Sequence, residues 1–226
     1  MRTDPCFQKW GGWLKIIKDD VQTLYLSRSI FTGVIDIVKK NQKIDKRSMF
    51  FGFFTSIYID SMVMGIRRQL KIQCDSISLA KLLTEIAEKP TLITRADYYE
   101  LFDNFTSPAK AAIMEDGFNR FAEPTSLKID DDRVRKDLLS LKPICKAAEE
   151  YADHCVAHWD KKTPSLDLTI EDTFKSLDNL GDLVQRYYGL FFASNLKLEP
   201  IPQSPIFDIF QEPWLVPLSS PDSETG

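Results

Sequence analysis

The sequence predicts an all-α fold: a bundle of helices with one long helix in its later half, extra short helices and an irregular C-terminal clasp. Three observations carry this. Apolar residues recur at spacings of three and four along most of the 226 residues, the period of amphipathic helices. The breaks in that pattern coincide with capping residues and prolines. No stretch alternates apolar and polar with the period of two that a half-buried strand requires.

The first helix is expected over residues 8–40. Trp10, Trp13, Leu14, Ile17, Val21, Leu24, Phe31, Ile35 and Val38 share its apolar face, with Arg28 as one polar seat and Gly33 as a weak point. Residues 41–45 form a polar turn. The second helix, 46–71, is apolar nearly all round and is expected to be the buried core helix. Its closing pair Arg67–Arg68 suits the negative end of a helix dipole. Ser76 or Ser78 can cap a third helix over 79–88, which Pro90 ends. Thr94 with Asp97 resembles a capping box and opens a short helix reaching Phe102. Another starts at Pro108, runs to about Phe121 and is stopped by Pro124.

The long helix follows. Asp130, Asp131 and Asp132 supply its negative N-terminus, and Val134, Leu138, Leu141, Cys145, Ala148, Ala152, Cys155 and Trp159 form a continuous apolar seam. The seam keeps register across Pro143, so a kink is expected there and not a break. Thr169 and Asp172 cap the last helix, 170–193. From Asn195 the chain is proline-rich, with one apolar clasp at 206–214 before a polar tail. The expected organisation is a helical domain over 1–194 and a clasp and tail over 195–226.

Composition excludes several classes. With 29 basic and 33 acidic residues the net charge is −4, so binding of duplex DNA driven by bulk charge is not expected. Cys6, Cys74, Cys145 and Cys155 form neither a C-x-x-C pair nor a zinc spacing, and read as reduced thiols of a cytoplasmic protein. The N-terminus carries no signal-peptide pattern. Residues 49–66 are barely long enough to span a bilayer, and Asp60 within them would cost roughly 2.5–3.5 kcal/mol. A buried helix explains them better, and no membrane partner is expected.

The chain has two histidines, His154 and His158, about one helical turn apart on the rim beside the seam. A rim histidine is half desolvated yet reachable, where a group titrating near neutrality can work. The competing reading makes both histidines boundary residues flanking a core. His-x-x-x-His recurs in zinc peptidases, but the general-base position holds Cys155 and no third ligand is evident, so no metal site is expected. There is no nucleophile elbow and no glycine-rich phosphate loop, and no cofactor is expected. What remains is acid–base work on a phosphodiester: a histidine takes the proton of a ribose 2′-hydroxyl while arginine or lysine meets the phosphate charge.

Residues 152–161, ADHCVAHWDK, resemble the motif-bearing helix of HEPN-domain proteins, in the AbiU-like abortive-infection branch. The resemblance extends to 59–61 (IDS), 65–68 (GIRR), 75–83 (DSISLAKLL), 91–95 (TLITR) and 209–214 (IFQEPW). It implies a HEPN-like helical bundle that dimerises across the motif helix and, in many relatives, a metal-independent ribonuclease. The family motif pairs an arginine, usually followed by a polar residue, with a histidine a few residues later. That histidine falls on His158, and the polar residue on Asp153 or His154. The arginine would fall on Tyr151, Ala152 or Asp153, so no guanidinium stands there. Arg67 or Arg68 could supply one if that helix end packs beside His158. A tyrosine that some relatives carry two residues after the histidine is here Asp160.

Two expectations follow. In one, the chain is a toxin or phage-defence effector that cleaves RNA, with His158 as general base, Asp153 supporting it, and Arg67, Arg68, Lys161 and His154 binding substrate. In the other it is a catalytically silent HEPN-like module for RNA binding, dimerisation or sensing. Both foresee a homodimer, RNA as a partner and an antitoxin or other defence-system protein as a second partner.

Overall fold

The computed structural model describes residues 4–45, 47–157, 168–200 and 206–211. Among them the chain is all-α, a helical bundle. Seven α-helices run in the order α1 (Pro5–Lys40), α2 (Met49–Leu70), α3 (Leu79–Glu88), α4 (Arg95–Glu100), α5 (Lys110–Asn119), α6 (Asp131–Tyr151) and α7 (Ile170–Phe192). A π-helical turn, Ala152–Ala157, continues α6. The single β-type pairing among the described residues is an antiparallel bridge between Thr94 and Lys128.

Local chemistry places the boundaries. Asp4 accepts from the backbone N–H of Cys6 and Phe7 at 2.8 and 3.1 Å, with Pro5 at the first helical position of α1. Ser78, of the two serines considered, caps α3 by accepting from Lys81 N at 3.0 Å. Thr94 caps α4, and Thr169 with Asp172 makes a reciprocal capping box on α7. α6 runs through Pro143 unbroken. The proline ring is exposed, and the carbonyl it frees, on Leu139, belongs to a residue that also faces solvent.

α6 packs against α2, α3 and α7, and α1 lies across α7 and α2. The core between them is closed by Trp10, Leu14, Met62, Ile66, Leu82, Leu83, Leu141, Cys145, Leu180 and Tyr187. Arg28, the polar seat on α1, bonds Asp178 of α7 at 2.6 Å and lies over the ring of Tyr25. Gly33 is a seat: a Cβ there would collide with the ring of Phe207, which holds the described part of the clasp against α1.

Two expectations require correction. The second helix is not buried along its length. Its C-terminal half is, from Tyr58, stacked on Phe31 of α1 at 3.8 Å, to Leu70. Its N-terminal half leaves Met49, Phe50, Phe53 and Ile57 exposed. By length and composition α2 could cross a membrane, but the packing of its C-terminal half is compatible with a soluble protein. The long helix, in turn, does not keep its α-helical period to the histidines. From Ala152 the turn widens, and one extra residue per turn moves the apolar register. Cys155, expected on the seam, is only half-buried, and Val156 packs against the core instead.

Candidate functional site

The candidate site lies where the C-terminal end of α2 meets the end of α6 and its π turn. The two helices run antiparallel there. Arg67 lies in the last turn of α2 and Lys71 is its extended C-cap residue; Glu149 and Asp153 are four apart on α6 and its continuation. The Arg67 guanidinium donates through Nε to Asp153 Oδ1. One turn away, Lys71 Nζ stands 3.6 Å from Glu149 Oε1. Both pairs are partly shielded: the side chains of Arg67 and Asp153 are 23% and 37% exposed, neither buried ions nor freely solvated ones.

Arg68 points elsewhere. Successive helical residues diverge by about 100°, and its guanidinium forks onto Asp20 of α1 at 2.6 and 3.0 Å. The buried Gln69 donates to the same carboxylate at 2.5 Å and accepts from Leu79 N at 3.1 Å, tying α1, α2 and α3 together. Arg67 thus faces the motif helix, and Arg68 belongs to the scaffold on the other side.

Around the Arg67–Asp153 contact the environment is partly apolar. Burial pushes the carboxyl of Asp60 above its ordinary value. It also pushes the phenol of Tyr151 up, and the negative charge of Asp60 and the Cys155 thiol add to that. Asp60 shares the α2 face of Arg67, yet the carboxylate that Arg67 meets is Asp153. His154 is exposed at the outer edge of the π turn, while its neighbour Ala152 is fully buried. Of the sequence-predicted site residues the structure therefore brings Arg67 to Asp153, sets His154 on the nearby surface and holds Arg68 apart. His158 and Lys161 lie outside the described residues, as do Trp159, Asp160 and Lys162.

Sequence reasoning missed Lys71 and Glu149. The signal was present: basic residues at the C-terminal end of one helix and acidic residues four apart on another are complementary when the helices pack antiparallel. It was passed over because pairing two helices needs their relative direction, which local periodicity does not contain. Among the described residues no group of three or more His, Cys, Asp or Glu is placed to hold a metal ion.

Chemically, a guanidinium on the edge of a half-shielded carboxylate is a held cation. Nε accounts for one of its five donors, and a fork of that kind suits a phosphate oxygen pair. Comparison with protein-family models, with curated proteins and with solved structures finds no match.

Proposed function

We propose that this chain is a HEPN-like effector of a toxin or phage-defence system, acting as a metal-independent endoribonuclease. His158 takes the proton of a ribose 2′-hydroxyl, Asp153 orients the site, and Arg67, with Lys161 and His154, meets the phosphate. The observation that carries the reading is the contact between Arg67 and Asp153. It brings a permanently charged fork from α2 to the turn that, by resemblance, bears the motif but lacks an arginine of its own. The π turn adds support, since such turns are frequent at functional sites. The products follow from the chemistry: attack by the 2′-oxygen on phosphorus expels the 5′-oxygen, leaving a 2′,3′-cyclic phosphate and a 5′-hydroxyl. The proposal includes a cytoplasmic homodimer whose two copies of His158 share one cleft, and an antitoxin or other defence-system partner.

A second reading, a HEPN-like module without turnover that binds RNA, dimerises or senses, is favoured by one observation. Arg67 and Lys71 against Asp153 and Glu149 form a charge ladder that suffices to hold two helices in register, leaving less reason to assign Arg67 to a substrate. The deciding experiment is a time course on labelled single-stranded RNA in excess chelator, with end-group analysis. The expected result is cleavage that persists without divalent metal and falls by roughly two to four powers of ten in His158→Ala. Abolition by chelator, or wild-type rates in His158→Ala, refutes the catalytic reading.

A further inference from the structure

The exposed half of α2 is unlike the rest of the surface. Met49 is 92% exposed, Phe50 58%, Phe53 64% and Ile57 51%, and at 100° per residue they lie on one face. With about 200 Å² for each such side chain fully exposed, the fractions leave on the order of 500 Å² of contiguous apolar surface, more than scattered residues would. It stands at the tip of the α1–α2 hairpin. There Lys39 and Lys40 end α1, and Lys43 and Arg47 lie in the connection, all exposed; the acidic residues of the described stretch 36–45 and 47 are Asp36 and Asp45. The Arg47 side chain is 96% exposed, and its nearest carboxylate, Asp45, stands 4.0 Å away. A chain of net charge −4 thus gathers cations around a strongly apolar tip.

We infer that this tip is a docking site for an anionic lipid surface. Exposed phenylalanine, methionine and isoleucine beside a cluster of lysine and arginine match the pairing of acyl chains with acidic headgroups at a membrane surface. The available reach fits as well. Met49 to Ile57 spans about 12 Å of helix at 1.5 Å per residue, a face that can lie along an interface and is far short of a roughly 30 Å hydrocarbon core. The C-terminal half of α2 cannot follow, since Tyr58 is stacked on Phe31 and Gln69 is bonded to α1 and α3. A second copy fits less well: the patch is below the ~800 Å² per partner of a stable dimer. The expectation of no membrane partner rested on the short length of residues 49–66, on Asp60 and on a buried α2; the first two concern a spanning helix, and burial holds for the C-terminal half of α2 alone.

The test is co-sedimentation of the full chain with mixed phosphatidylcholine–phosphatidylglycerol vesicles and with pure phosphatidylcholine vesicles. Binding to the anionic vesicles is expected, weakened by high salt and absent with neutral ones. The double variants Phe50→Ser/Phe53→Ser and Lys43→Glu/Arg47→Glu change only exposed side chains, and circular dichroism checks that each is folded. Each should bind anionic vesicles about tenfold more weakly or worse. No anionic binding by the wild type, or unchanged binding by both variants, overturns the proposal. So does a wild-type dimer in light scattering that Phe50→Ser/Phe53→Ser turns into monomer while vesicle binding is absent, which would assign the face to a second copy. Loss of labelled RNA binding in the charge-reversal variant, without vesicle binding in the wild type, would assign it to nucleic acid.

Discussion

Removing the partners of the Arg67–Asp153 contact one at a time and together measures whether it holds the candidate site. At contact distance and an effective dielectric near 20 the attraction is about 4 kcal/mol. Partial burial takes most of that back. Fully exposed pairs retain about 0.2–1 kcal/mol, whereas breaking a buried pair costs about 3–5 kcal/mol. With side chains 23% and 37% exposed, this pair belongs between, and the expected coupling is about 1 kcal/mol. The assay is urea unfolding of the wild type, Arg67→Gln, Asp153→Asn and the double variant, with the slope unchanged so that midpoints report stability alone. Each single variant should lose about 1–2 kcal/mol, and the double variant should lose less than their sum by about 1 kcal/mol. Raising the salt to about 1 M, where the screening length falls to ~3 Å, should shrink the coupling. A coupling below about 0.3 kcal/mol, the scatter of independent sites, would mean that the two residues do not hold one another and would remove the site's geometric footing.

Two further outcomes test the surroundings. Asp60 titrates above its usual value because of burial. Its protonated form is the one folding favours, so its contribution to stability is largest at low pH and falls as pH rises through the window above 3.8. Asp60→Asn should therefore be more stable than the wild type at pH 7, with the advantage vanishing near pH 3; equal stability at both refutes the burial argument. Burial pushes the Cys145 thiol up to about 12, while Cys74 is exposed. A thiol reagent at pH 8 should label Cys74 at once and Cys145 only on unfolding, read by mass spectrometry, and rapid native labelling of Cys145 would contradict the packing of α6.

Helix existence was legible because caps and apolar period agree. Ser76 or Ser78, Thr94 with Asp97, and Thr169 with Asp172 name their helices before any packing is known, and the fold settles the first on Ser78. Which end of α2 is covered was not legible. Composition reports that a helix is apolar all round, but only the neighbours' lengths decide that α6 and α7 shield the half from Tyr58 onward and leave Phe50 and Phe53 in solvent. The π turn escaped for a different reason. No glycine or proline marks residues 152–157, so the seam through Ala148 and Ala152 extrapolates smoothly to Cys155. One wider turn replaces Cys155 by Val156 on the core without changing any local preference. The candidate site inherits that difficulty: Asp153 was identified from its place in a motif, and the residue it meets from its charge, but their contact depends on antiparallel register.

A ladder that only holds helices together and a cation that serves a substrate make different demands on the residue at position 67. For the ladder a single point charge is enough, as Lys71 against Glu149 at 3.6 Å demonstrates one turn away. For a phosphate the planar fork matters, because only arginine can keep Nε on Asp153 and still present further donors in fixed geometry. Arg67→Lys separates the two. If Arg67 is scaffold alone, the variant should lose under about 1 kcal/mol of stability and bind and process RNA as the wild type does. If the proposed function holds, stability should change equally little while cleavage of single-stranded RNA falls by roughly tenfold or more, the loss expected of a bidentate charged contact. The two measurements, urea midpoint and cleavage rate, must be made on one preparation. A fall in rate that merely tracks a fall in stability would place Arg67 in the frame of the bundle, and the charge ladder would then be its whole role.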